Sequence, residues 1–242
     1  MTEETALDVI CLGRAAVDLY GQQVGGRLED MQSFAKYLGG SSANLAAGLA
    51  RLGLRPAMLT RVGDEHMGRF VREQLAHEGV DVSHVGTDPD RLTGLVVLGI
   101  AGTDAYPHVF FRTRCADMGL VVEDFDEAWI ASARALAVTG THLSTAPTRR
   151  AVLQAMQWAR THGRRVVLDI DYRPVLWGLA SAGAGDNRYV AAHAVTQVLQ
   201  EFLGFCDLLV GTEEEIRIAG GLDDTDAALQ SIRQWSNATV VL

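Results

Sequence analysis

Short apolar runs alternate with stretches of helical period along the chain. Asp8 to Leu12 reads as a strand, the stretch after Ser42 as an amphipathic helix, Ala57 to Val62 as a strand, and Glu65 to Glu78 as a helix. Between Val80 and Arg112 the helical period disappears. Thr93 to Ile100 and His108 to Arg112 are strand-like, with Gly and Pro-Asp punctuation, and read as a small β excursion. Alternation resumes with Ala135 to Thr139, a helix from Thr148 to Thr161, Arg165 to Asp171, a helix after Asn187, Asp207 to Val210, a helix around Asp226 to Trp235, and Ala238 to Leu242. This rhythm predicts an α/β fold: a doubly wound, mostly parallel sheet with helices on both faces and a small β lid inserted after the second or third strand. Ligands of such folds bind at the carboxyl ends of the strands, where the candidate motifs fall.

No repeat, low-complexity tract or linker composition divides the sequence, so 1–242 reads as one domain. Its 48% hydrophobic content is enough for a substantial core. Thirty acidic against 21 basic residues give a net charge of −9, and no Lys/Arg cluster appears, which argues against nucleic acid as a partner. Cys11, Cys115 and Cys206 are too dispersed for a metal site or a disulfide framework. With an acidic N-terminal Met-Thr-Glu-Glu-Thr and no apolar run of membrane-spanning length, a cytoplasmic location is expected. The first strand leads into Gly13-Arg14-Ala15-Ala16 rather than Gly-x-Gly-x-x-Gly, so nicotinamide binding has little support, and no Gly-Lys-Ser/Thr phosphate loop is present.

The most distinctive segment is Lys36-Tyr-Leu-Gly-Gly-Ser-Ser-Ala-Asn44, a small-residue turn opening a helix. Gly39 and Gly40 let backbone approach a bound molecule, and the first helical N–H groups lack internal partners, so they can face a polar ligand beside Ser41 and the amide of Asn44. The competing reading is a plain helix start with Ser41 or Ser42 as N-cap.

Three further positions leave strand ends. Asp18 can accept hydrogen bonds from a polyol, or can be a solvated turn residue. Arg112 ends Val109-Phe110-Phe111, and Asp171-Tyr172-Arg173-Pro174 follows Val166 to Ile170. The rigid guanidinium fork suits a carboxylate or a transferring phosphoryl group, which makes an acidic sugar plausible. An Arg–carboxylate pair of purely structural character is the alternative, for Arg173 with Asp169 or Asp171, and at comparable weight for Arg112.

The spacing from Asn44 to Gly53, and on to Gly63-Asp64-Glu65-His66-Met67-Gly68, resembles the first signature of the PfkB (ribokinase-like) carbohydrate kinases, with Ser42 where Gly, Ala or Pro is commoner. Gly-Arg-Ala with Asp18, the Gly39 turn, Gly68-Arg-Phe70, Arg112 with Ala116-Asp117, and Asp171-Tyr-Arg-Pro with Trp177 are similar to the branch that phosphorylates the 6-hydroxyl of 5-dehydro-2-deoxy-D-gluconate. Kinases of 2-keto-3-deoxygluconate share part of this pattern. The resemblance implies a ribokinase-like domain with lid segments around 13–37 and 80–114. It also implies ATP and Mg²⁺ as cofactors, a small sugar acid as substrate, and a homodimer formed through the lid.

On this resemblance Asp18, Gly39, Gly40, Ser41, Asn44, Arg112, Asp171 and Arg173 are expected to bind substrate, with Arg173 also a candidate charge stabiliser. Gly211-Thr-Glu-Glu-Glu215 resembles the family's Asn-x-x-Glu motif, with Thr212 for Asn and Glu215 organising Mg²⁺ and phosphates through water, so no direct protein ligand to the metal is expected. Acidic residues in a first helical turn are also favourable through the helix dipole alone. The family's base lies in a late Asp-Thr-x-Gly-Ala-Gly-Asp motif, expected beyond Leu242. Gly183-Ala-Gly-Asp186 matches four of its residues in the wrong order along the chain, and Asp186 reads as a helix cap. The runner-up from another class is a non-catalytic sugar-acid-binding or dimerising fragment.

Overall fold

A computed structural model describes residues 7–100, 106–181, 183 and 189–242. In chain order its elements begin with β1 (Leu7–Leu12), β2 (Ala16–Gly21), β3 (Phe34–Gly39), α1 (Ser41–Arg51), β4 (Pro56–Gly63) and α2 (His66–His77). There follow β5 (Val85–Asp88), β6 (Gly94–Leu98), β7 (His108–Phe111), α3 (Glu127–Ala131), β8 (Ala133–Thr139) and α4 (Ala146–Thr161). The last are β9 (Arg165–Asp169), α5 (His193–Leu203), β10 (Leu208–Val210), α6 (Glu213–Gly220), α7 (Thr225–Ile232) and β11 (Thr239–Val241).

Seven strands form one parallel sheet in the order β11-β10-β9-β8-β1-β4-β5. Side-chain alternation divides its two faces. Ile10, Leu12, Leu136, Val138, Val166 and Leu168 join a core with α4, α5, α6 and α7. Cys11, Met58 and Ala137, from intervening positions, join a second core with α1 and α2. Burial on both faces explains why these strands read as continuous apolar runs. The doubly wound parallel sheet expected from the sequence is therefore present. No helix among the described residues is long and apolar enough to cross a membrane.

The small second sheet has the order β3-β2-β6-β7 and draws on both segments expected to form the lid, around 13–37 and 80–114. Half of it, the β2–β3 hairpin, leaves directly after the first strand of the main sheet. Only β6 and β7 come later, after β5. Val85–Asp88, inside the stretch read as excursion, pairs in parallel with β4 and belongs to the main sheet, with Val85 buried beneath it. Four residues are too few to show a period, so their place is decided by pairing. The strand beginning at Arg165 ends at Asp169, because Asp171 turns the backbone to φ 34°. The helix read after Asn187 begins at His193, and residues 187 and 188 lie outside the described residues.

Candidate functional site

The turn into α1 is built by glycine. Gly40 holds φ at 99°, and a Cβ there would come within 2.4 Å of the Arg14 carbonyl oxygen. Neither serine caps the helix. Gly40 occupies the N-cap position without a side-chain bond. Ser42 Oγ instead donates to the Leu12 carbonyl at 3.0 Å and meets Thr139 Oγ1 at 3.0 Å, tying the helix to the ends of β1 and β8. Ser41 Oγ donates to Asp171 Oδ2 at 2.5 Å. The competing sequence reading of these serines as caps is thus replaced by three tertiary contacts.

A cavity of about 990 Å³ opens between the carboxyl ends of the parallel strands and the second sheet. The period of two in that sheet decides what faces it. Asp18, Val96 and Phe110 stand in cross-strand register, as do Tyr20, Leu98 and His108, and all six line the cavity. The roof is thus apolar and aromatic around one carboxylate. Burial raises the Asp18 pKa, partly offset by the cations Arg14 and Arg112 and by His108. Gly40, Ser41 and the exposed Asn44 form the adjoining wall. Gly39 does not line the cavity; it sits against Asp18.

The floor is a charge network centred on Asp171, which is 3% exposed. Its Oδ2 accepts from Ser41 and, at 3.3 Å, from Arg14 Nη2, while its Oδ1 pairs with Arg173 Nη2 at 2.9 Å. Burial pushes the Asp171 carboxyl up, but Arg14, Arg173 and the Ser41 bond together hold it below the ordinary value. Arg173 also donates to the Tyr172 carbonyl at 2.8 Å and lies 3.5 Å from Glu215 Oε1.

Glu215 forms a capping box with Thr212 at the start of α6: its Oε2 accepts from Thr212 N at 2.9 Å, and the Thr212 hydroxyl accepts from Glu215 N. Its Oε1 accepts from Tyr172 N at 2.8 Å. Thr212 and Glu215 therefore meet Asp171 and Arg173 at one end of the cavity.

Asp169 lines the same end, and its pKa is pushed up to about 7, by burial first and then by the negative charges of Asp171 and Glu215. From the sequence Asp169 is expected only as a structural partner for Arg173. Its position two residues before Asp171, at the last point of β9, was the available signal. Arg14 is likewise absent from the residues expected at the site, although it follows the carboxyl end of β1 by two residues. It lines the cavity, is 8% exposed, and its Nε is buried without a hydrogen-bond partner.

For Arg112, expected either to bind substrate or, at comparable weight, to form a structural pair with a carboxylate, the structure shows the pair. The arginine is 4% exposed, bonds to Asp117, itself 1% exposed, and stands behind the lining of the main cavity. It lines instead a separate cavity of about 430 Å³ with Arg91 and Arg114. The nearby carboxylate, five residues on, captures the guanidinium. Gly94 makes room for it: a Cβ there would lie 2.6 Å from Arg112 Nη1. His142 packs against the same pair, its Nε2 3.1 Å from the Asp117 carbonyl oxygen, and burial lowers its pKa to about 4. Asp186, the weak substitute for a base, lies outside the described residues.

Residues 6–242 match the model of the pfkB family of carbohydrate kinases. A 5-dehydro-2-deoxygluconokinase of Geobacillus kaustophilus is 36% identical over 99% of this chain and 69% of its own length. The same-named protein of Geobacillus thermodenitrificans is 36% identical over 88% of this chain and 60% of its own length. The chain thus spans roughly two thirds of the curated relatives it matches. Among solved structures, a PfkB protein from Polaromonas sp. superposes with a TM-score of 0.84 at 33% identity, covering 98% of this chain and 76% of that one. The family match over residues 6–242, the 36% identity along nearly the whole chain and the matching fold agree: this chain belongs to the pfkB family of carbohydrate kinases.

Proposed function

We propose that the enzyme formed by this chain is an ATP-dependent kinase of a sugar acid, transferring the γ-phosphoryl group to the 6-hydroxyl of 5-dehydro-2-deoxy-D-gluconate. The observation that carries the reading is the polarity of the cavity. Asp18 and Asn44 offer hydroxyl-binding groups at one side, and the guanidinium of Arg173 faces the same space from the other. A polyol carrying one carboxylate matches that division, and a neutral hexose leaves the guanidinium end unused. The names of the relatives at 36% identity point the same way. A 2-keto-3-deoxygluconate kinase is the nearest competing reading, because it too needs a hydroxyl clamp and an arginine.

Asp18 would hold acceptor hydroxyls against the apolar roof of Val96, Leu98 and Phe110, which excludes water from the reacting end. Arg173, fixed by Asp171 and Glu215, would meet negative charge on the substrate or on the transferring group without reorganising. Thr212 and Glu215 would stand toward the nucleotide phosphates. The cluster of Asp169, Asp171 and Glu215 fits a hydrated magnesium ion, since burial, and after it the negative charges of Asp171 and Glu215, already lift Asp169 to about 7. Contact between these carboxylates and the ion would run through water. Bound Mg²⁺ would neutralise charge on the triphosphate.

Calorimetric titration with 5-dehydro-2-deoxy-D-gluconate, 2-keto-3-deoxygluconate and fructose tests the reading. The first should bind at least tenfold more tightly than the second and hardly be rivalled by the third. Equal affinity for fructose would remove the sugar-acid assignment.

A further inference from the structure

The geometry points to Arg14 as a specificity-determining residue: Asp171 holds the guanidinia of Arg14 and Arg173 on its two oxygens, as a pair that receives the substrate's carboxylate. This rests on the sugar-acid reading above.

Asp171 separates the two cations with one negative charge, Oδ2 toward Arg14 and Oδ1 toward Arg173. Arg112 does not need that charge, because Asp117 neutralises it. Glu215 sits nearer Arg173 than Arg14 in this network, at 3.5 Å, and both its oxygens also accept backbone N–H bonds. Arg14 is therefore the less compensated of the pair. Burial lowers its pKa, Asp171 raises it, and Arg112 and Arg173 lower it again. Its Nε is buried with no partner, as are Nε and Nη1 of Arg112, but of the two only Arg14 lines the main cavity, where a ligand can reach its guanidinium. A carboxylate entering the cavity supplies the missing counter-charge, and a fork of rigid donors suits its planar shape. A neutral polyol would be desolvated against the same cations with no such return.

A structural role for Arg14, bracing the turn after β1 against the Asp171 loop, makes a different prediction. The turn has its own anchor, since the Arg14 carbonyl accepts from Ala43 N at 3.2 Å. Loss of a brace would weaken every ligand alike.

The test is isothermal titration of the chain with 5-dehydro-2-deoxy-D-gluconate and with its neutral C1 amide, for the unaltered protein and for Arg14→Gln. The unaltered protein should prefer the acid by about thirtyfold or more. Arg14→Gln should lose at least tenfold for the acid and stay within about twofold for the amide. Equal losses for both, or an undiminished preference for the acid, would overturn the role of Arg14 while leaving the sugar-acid reading intact. No preference in the unaltered protein would overturn both. Should Arg14→Gln not fold, Arg14→Lys retains the charge without the fork, and a selective loss of about fivefold for the acid is expected; an unchanged acid-to-amide ratio would reject the pair.

Discussion

A Cβ on Gly39 would lie 2.1 Å from Asp18 Oδ1 and 2.3 Å from its Cγ, so the glycine at the end of β3 exists to admit the carboxylate of the neighbouring strand. The expectation from sequence was that Gly39 and Gly40 bring backbone close to a ligand. Gly40 does line the cavity, at φ 99°. Gly39 acts one step back, by setting where Asp18 can stand.

Gly39→Ala should therefore weaken sugar binding more than it harms the fold. The contact is with the far end of a side chain, so the carboxylate can swing away at little cost in stability, but it leaves the position facing the cavity. A loss of roughly tenfold or more in affinity, about 1.4 kcal/mol, is expected with Tm shifted by no more than about 4 °C. Unchanged affinity in calorimetry would mean that Asp18 does not touch the sugar.

Arg173→Ala removes a charge-assisted contact, worth about 1.5–3 kcal/mol, or roughly ten- to a hundredfold in affinity. The loss should fall on acidic sugars and spare neutral ones. Competition binding with gluconate and glucitol separates the cases, and equal losses would assign Arg173 to holding Asp171 and Glu215 in place.

Much of this site is legible along the chain because its backbone is local: a small-residue turn, a strand end and a capping box announce themselves within a few positions. The charge network is not. Arg14 and Asp171 meet across 157 residues, and nothing near either one reports the other. Arg112 shows the opposite case, a local partner deciding between the two readings that the sequence holds open. Strand alternation puts it on the same side as His108 and Phe110, toward the cavity, but Asp117 follows within reach and turns the guanidinium inward. The parallel sheet was readable from its apolar runs, whereas the four residues of β5 were assigned to the wrong sheet because pairing alone decides where so short a strand belongs.

Asp117→Asn should expose the cost of that buried pair. Arg112 would remain in the interior without its counter-charge, a change that typically destabilises by about 3–5 kcal/mol. For a chain of this size the expected fall in Tm is roughly 6–15 °C. Arg112→Met combined with Asp117→Leu removes both charges and should recover at least half of the loss. Failure of the double variant to recover stability would show that Arg112 and Asp117 act separately.

Asp169 and His142 make opposite contributions to stability against pH. The Asp169 carboxyl moves from 3.8 to about 7 on folding, so between these values the folded state holds more protons than the unfolded, and stability is lost as pH rises. His142 moves from 6.5 to about 4, so the folded state holds fewer protons there, and stability is lost as pH falls. Between pH 4 and 6.5 the two slopes largely cancel; above 6.5 only the Asp169 cost is still growing. Asp169→Asn keeps an oxygen acceptor and removes the charge, so it should leave the His142 slope alone. The variant should match the unaltered protein near pH 4 and exceed it at pH 8 by about 1–3 kcal/mol, discounted for partial solvent access, or roughly 2–10 °C in Tm. Thermal melts at pH 4, 6 and 8 read this directly. A Tm difference that stays constant across the three would mean that the Asp169 carboxyl titrates alike in the folded and unfolded states, with the burial cost and the repulsion from Asp171 and Glu215 relieved by water or by Arg173.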